Sequence, residues 1–253
     1  MNSRSLSLVL KYTVVVSAIV GVILSAIAGA DAFMGGTRVF MYFTIQSNIA
    51  IALICAIGSV LLVRKQPIKS VWYLVHFIGT VSITLTGVVF CFVLAPTMGV
   101  YAWSLPNILT HVVVPLAAVA DFFLSAIHGT IRKSSSFYVI LPPIAYAFYA
   151  GIGYVAGWEF SQGINYPYFF LNWGSPAGAF GFTDELPFMG CGWWILLILV
   201  MLLIVGYLYL LIIDLIRKRS TRRDGPFVLT DEQMTRYNND GGDEYGANGQ
   251  SKK

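Results

Sequence analysis

Apolar residues fall in six long runs, at 8–30, 39–63, 71–95, 105–127, 137–158 and 191–216, and the stretches between them hold most of the charges. Each run is long enough to cross a bilayer core about 30 Å thick, which takes roughly 20 residues of helix. The pattern predicts an all-α fold, a polytopic membrane helical bundle with six transmembrane helices over residues 1–216. The fifth run carries Pro142 and Pro143 near its start, and membrane helices keep prolines where neighbours satisfy the freed backbone groups. The segment 159–190 is rich in Gly, Pro, Tyr and Phe and too polar to span, so it reads as an outer loop touching the interface. Residues 217–253 have a basic head and a Gly/Asn/Asp-rich end and read as a disordered cytoplasmic tail. No internal repeat is visible.

Composition agrees: 57% of residues are apolar and 11% charged, against about 25% charged in a typical soluble domain. A nucleic-acid partner needs a basic face in water, which this chain lacks. The expected partners are membrane lipids, and the sequence points to no protein partner. The three cysteines form no C-x-x-C pair, so neither a structural zinc site nor a disulfide framework is expected. There is no G-x-S-x-G, H-E-x-x-H or P-loop, and no cofactor or metal is expected.

Charge placement sets an orientation. Arg4 and Lys11 lie at the start of the first run, Arg64, Lys65 and Lys69 after the second, Arg132 and Lys133 after the fourth, and Arg217, Lys218, Arg219, Arg222 and Arg223 after the sixth. The other side has Arg38 with Asp31, Glu159, Asp184 and Glu185. The positive-inside rule then places both termini in the cytoplasm of a cell-membrane protein. Trp103, Trp158, Trp173, Trp193 and Trp194 fall at the outer boundary, as an aromatic belt would. AIAGADA near residue 30 has signal-peptidase-like spacing, but the apolar run is long for a signal peptide. The run is read as a retained span, whose stripe of Thr13, Ser17, Gly21, Ser25 and Gly29 suits close helix packing.

Ionisable residues inside a membrane are functional candidates. In MYFTIQSN, Thr44, Ser47, Asn48 and the later Cys55 share one helical face and Gln46 lies off it; in NILTHVVVP, Asn107 and His111 share another. Thr44 and His111 each sit five or six residues from their predicted helix ends, roughly 8 Å deep at 1.5 Å per residue. They meet if the second and fourth spans are neighbours. Pro115 cannot donate to the carbonyl of His111, so a kink with a polar acceptor is expected there. Thr, Ser and Asn also hold membrane helices together without chemistry. An imidazole suits proton transfer near neutral pH.

His76 in the third span and Asp121 in the fourth fall at a second common depth, as a buried structural pair or a proton relay. Asp121 is about 15 Å along the helix from His111 and cannot orient it. His128 reads as a solvated loop residue, Asp214 as paired with its basic neighbours, Cys191 as a lone boundary thiol, and Cys55 and Cys91 as small packers.

These residues resemble a family, the androgen-induced and androgen-dependent membrane hydrolases with their bacterial six-span relatives. The resemblance rests on the six-span plan, on Tyr42-x-Thr44 in MYFTIQSN, on His111 and Asp121 in HVVVPLAAVADFF, and on YPYFFL after the fifth span. It is closest to the bacterial members. The resemblance implies hydrolysis of fatty-acid esters, with the threonine falling on Thr44 and the histidine on His111. Its spacing to Pro115 is one residue shorter than the family's.

A threonine hydroxyl needs an adjacent base, which His111 would supply, and the developing oxyanion needs donors. Asn48 is the first candidate donor, Asn107 the second, with Gln46 and Ser47 as further polar support. Tyr166 and Tyr168 would line the entrance. An orienting partner for His111 would come from Asp31, Glu159 or a carbonyl. The leading expectation is therefore a lipid-ester hydrolase with a Thr44–His111 site on the outer-leaflet side. The alternatives are a small proton-coupled transporter using His76 and Asp121, and a non-enzymatic structural or lipid-sensing module without a cavity.

Overall fold

The structure, a computed structural model, describes residues 3–30, 36–126 and 131–223. Among these, six helices are long and apolar enough to cross a membrane: Ser3–Ala30, Phe43–Val63, Ser70–Trp103, Leu105–Ala126, Lys133–Val155 and Cys191–Arg219. No strand occurs among the described residues. The chain is an all-α six-span bundle and a multi-pass membrane protein. The described residues up to Asp214 form one compact unit, and a second begins at Leu215.

The helix ends differ from the sequence pattern in informative ways. The second span does not start at 39: a 3₁₀ turn, Gly36–Met41, precedes the helix, which begins at Phe43. The third continues helically through Pro96 to Met98, past residue 95, and a 3₁₀ turn, Gly99–Trp103, follows at Gly99, whose φ is +59°. The fifth opens as 3₁₀ helix, Lys133–Ile140, before its α-helical part Leu141–Val155. Pro142 and Pro143 thus sit in the first α-turn, where 3₁₀ helix gives way to α-helix. The basic head of the expected tail is helical, because the last helix runs on to Arg223. The expected disorder beyond it, and the reading of His128, lie outside the described residues.

One core joins the first four spans through Val14, Ala18, Ile51, Cys55, Ile83, Val114 and Ala118. A second joins the last four through Phe77, Val81, Phe122, Val139 and Leu202. Close contact uses small residues. A Cβ on Gly21 would sit 2.7 Å from Thr110 Cγ2, so the first span lies against the fourth beside His111. The loop after the fifth span is pinned down: Tyr42 Oη donates to the Phe160 carbonyl (3.2 Å), Tyr146 Oη to the Met41 carbonyl (3.1 Å), and Arg38 pairs with Glu159 (2.8 Å). An aromatic core of Tyr42, Tyr146, Phe160 and Phe170 fixes this end of the bundle, called the loop end below.

Candidate functional site

At the loop end a chamber of about 700 Å³ opens between the first four spans and the segment Ile164–Phe169. Its wall is mostly apolar, and Thr44, Asn107, Thr110, His111, Tyr166 and Tyr168 all contribute to it. The packing stripe of the first span has two roles. Gly21 is buried against the fourth span, whereas Ser25 and Gly29 line the chamber.

His111 lies in a π-helical turn, Leu109–Val113, directly before Pro115. Such wide turns recur at functional sites. The irregularity falls beside Pro115, where the sequence predicts a kink. Nδ1 of His111 is 3.0 Å from the Asn107 carbonyl oxygen and 3.0 Å from Thr110 Oγ1. The Thr110 hydroxyl gives its one proton to the Pro106 carbonyl (2.8 Å). Nδ1 therefore faces two acceptors and must be the donor, which leaves the lone pair of neutral imidazole on Nε2. Among the described residues Nε2 has no hydrogen-bond partner. The ring stacks on Phe90, with centroids 3.8 Å apart. Phe90 opens a second π-helical turn, Phe90–Leu94, on the third span. Of the orienting partners considered, the carbonyl holds the histidine. Glu159 is engaged with Arg38, and Asp31 lies outside the described residues.

Thr44 is in the first turn of its helix rather than five residues down it, because the helix starts at Phe43. There its N–H has no intrahelical acceptor; it donates to Tyr168 Oη (3.3 Å). Thr44 Oγ1 and Tyr168 Oη are 3.4 Å apart. Thr44 and His111 share the chamber wall but are not hydrogen-bonded to each other. Tyr168 thus touches the threonine itself, a closer role than lining the entrance. Its ring stacks on Phe170 (5.0 Å, 3° between planes), and burial raises its phenol pKa, so it stays a donor.

The expected supporting residues divide. Asn48 is fully buried, its amide donating to the carbonyls of Thr44 (2.8 Å), within its own helix, and Thr110 (3.1 Å), which joins the second span to the fourth, so both donors are committed. Ser47 is shared between the Thr44 carbonyl and Thr86 Oγ1 (2.7 Å), and exposed Gln46 donates to the Phe40 carbonyl. None of the three lines the chamber. Asn107 does, with one amide bond to the Ala102 carbonyl (3.0 Å).

The deeper pair is a larger cluster. Asp121 is fully buried and ion-paired with Lys11; Ser7 donates to its Oδ1 (2.7 Å), and His76 Nε2 is 3.4 Å from its Oδ2. Lys11, read from the sequence as a charge flanking the first span, is instead 5% exposed, and Gly58 leaves room for its stem. Cys55 packs here too, its sulfur within 4.8 Å of candidate ligand atoms of His76 and Asp121. The carboxylate oxygen a metal would use already carries the Lys11 ammonium. The cluster joins spans one, three and four, with the Asp121 carboxylate paired to Lys11. Asp214 Oδ2 lies 3.7 Å from Lys133, joining the sixth span to the fifth.

No protein-family model, curated protein or solved structure matches the chain.

Proposed function

We propose that the protein is a lipid-ester hydrolase of the cell membrane, with both termini cytoplasmic and the chamber opening toward the outer leaflet. The observation that carries this reading is the single chamber wall that presents the Thr44 hydroxyl and a His111 held as a base through Nδ1. A mostly apolar cavity with a few convergent polar groups suits a small amphipathic ligand. The charge asymmetry between the loops supports the orientation. The activity is also the one implied by the resemblance to the androgen-induced membrane hydrolases.

In this reading Thr44 Oγ attacks the ester carbonyl carbon and its proton passes to His111 Nε2. Rotation of the threonine away from Tyr168, or one bridging water, makes that transfer; catalytic contacts commonly tighten only with substrate bound. The bond to the alcohol breaks and His111 protonates the leaving oxygen. Water then hydrolyses the acyl-threonine with His111 again as base. The free amide N–H of Asn107 and the Tyr168 hydroxyl are the donors available to the oxyanion.

A fluorophosphonate probe tests this on the purified protein in mild detergent. Wild type is expected to be labelled at Thr44, with Thr44→Ala and His111→Ala abolishing labelling while thermal unfolding is retained. Labelling that survives Thr44→Ala sinks the assignment, and an unlabelled wild type removes the nucleophile.

A further inference from the structure

The chamber is one of three adjoining cavities. A slot of about 60 Å³ lies beside it between the third, fifth and sixth spans, and shares Thr44, Leu94 and Tyr168 with the chamber wall. A groove of about 880 Å³ then opens along the fifth span and shares Ala147 and Ile195 with the slot. The groove lies on the lipid-facing side of the fifth span, where Phe148, Ile152 and Val155 are 70%, 60% and 86% exposed. Lipid-facing groove, slot and histidine chamber therefore adjoin in series, and Thr44 stands at the junction of the last two.

The two sides of Thr44 differ in chemistry. The slot is walled by Leu85, Val89, Ile198 and Leu199, and its few polar neighbours are engaged: Thr86 with Ser47, Tyr146 with the Met41 carbonyl. The chamber adds Ser104, Asn107, Thr110 and His111. The slot is far smaller than the chamber, so a second chain or a bulky ring would meet its walls.

We infer that a single straight acyl chain occupies the groove and slot, entering from the bilayer between the fifth and sixth spans. The ester carbonyl then lies at Thr44 and the alcohol half in the His111 chamber. This assignment rests on the hydrolase reading for the carbonyl's place; the chain's path rests on the cavities alone. It makes Ala147, Ile195 and Leu199 the residues that select chain shape, and excludes an acyl half with a branch larger than a diazirine ring near its carbonyl. Apolar burial, about 0.8 kcal/mol per methylene, favours longer chains until the groove is filled.

Photocrosslinking tests the path without requiring turnover. Two hexadecanoate methyl esters are used, one with a diazirine at mid-chain and one with it beside the carbonyl. Each is added to the full chain in lipid nanodiscs, and adducts are mapped by mass spectrometry. The mid-chain probe is expected to mark Ile195, Leu199 and the Ala147 face of the fifth span. The carbonyl-proximal probe is expected to mark the surroundings of Thr44 and Tyr168. Ala147→Phe, which fills the joint between slot and groove, should remove at least nine-tenths of the Leu199 adduct. Ile204→Phe, on an exposed face of the sixth span, should leave the pattern as it is.

Mid-chain adducts at Ser25, Met98 or Tyr101 would put the acyl chain in the chamber and overturn the inference. So would adducts spread evenly over Val16, Phe148 and Leu208, as for a probe merely dissolved in lipid. If Ala147→Phe fails to fold, the wild-type map alone decides. The expected map without fluorophosphonate labelling would keep the path and reject the hydrolase; labelling with chamber adducts would do the reverse.

Discussion

Lys11 and Asp121 show how much one residue can weigh in this fold. The carboxylate is fully buried and its charge is balanced by an ammonium from another span, with Ser7 and Ser125 completing its hydrogen bonds. Taking away one partner of a buried pair leaves an uncompensated charge, at a cost of about 3–5 kcal/mol, whereas replacing both by apolar groups of similar size is close to neutral. Lys11→Met is therefore expected to lower the thermal midpoint in detergent sharply, and Lys11→Met with Asp121→Leu to restore most of it. A double variant no better than the single one would mean that the charges have a task beyond holding spans together. Lys11 was hard to read from the sequence because a lysine near the start of an apolar run looks the same whether it flanks the membrane or enters it. Its spacing from Ser7, one helical turn on the same face, is the signal that separates the two.

Among elements, the third and fourth spans decide where His111 points. Both widen into π-helical turns, at Phe90–Leu94 and Leu109–Val113, and Phe90 of one stacks on His111 of the other. They can come this close because Gly87 has no side chain. A Cβ there would lie 3.0 Å from the His111 carbonyl oxygen and 3.2 Å from Pro115 Cβ. Gly87→Ala must push the spans apart by a few tenths of an ångström or more. It is expected to cut fluorophosphonate labelling at least tenfold while lowering stability by about 1–3 kcal/mol, the usual cost of overpacking. Labelling at the wild-type rate would show that the close approach does not position the imidazole. The spans themselves were legible, since hydrophobicity summed over 20 residues is a strong signal. A departure from α geometry near Pro115 was legible too, from the missing N–H. The π geometry and the Thr44–Tyr168 contact were not. The contact joins segments more than a hundred residues apart in sequence, and both features depend on packing between spans that local pattern does not record. Asn48 misled for a related reason: its face was read well, but a face does not show which carbonyls will take its protons.

For the whole molecule, the two ends of the bundle are chemically unlike, and function follows from which end meets the cytoplasm. The loop end carries the chamber, the aromatic core and the Arg38–Glu159 pair, and the opposite end carries Arg64, Lys65, Lys69, Arg132 and Lys133. Moving lysine- and arginine-rich short loops across a membrane is unfavourable, which supports the proposed orientation with these loops inside. In that proposed orientation a chamber at the other end would draw its ligand from the outer leaflet. Gln66 and Gln162 report on the two ends in a background whose native cysteines are alanine. In intact cells a membrane-impermeant maleimide is expected to label Gln162→Cys, and to label Gln66→Cys only after the membrane is opened. The reverse pattern would turn the bundle over. The Thr44–His111 wall would then face lipids of the cytoplasmic leaflet, and the site chemistry would stand with a different supply of esters.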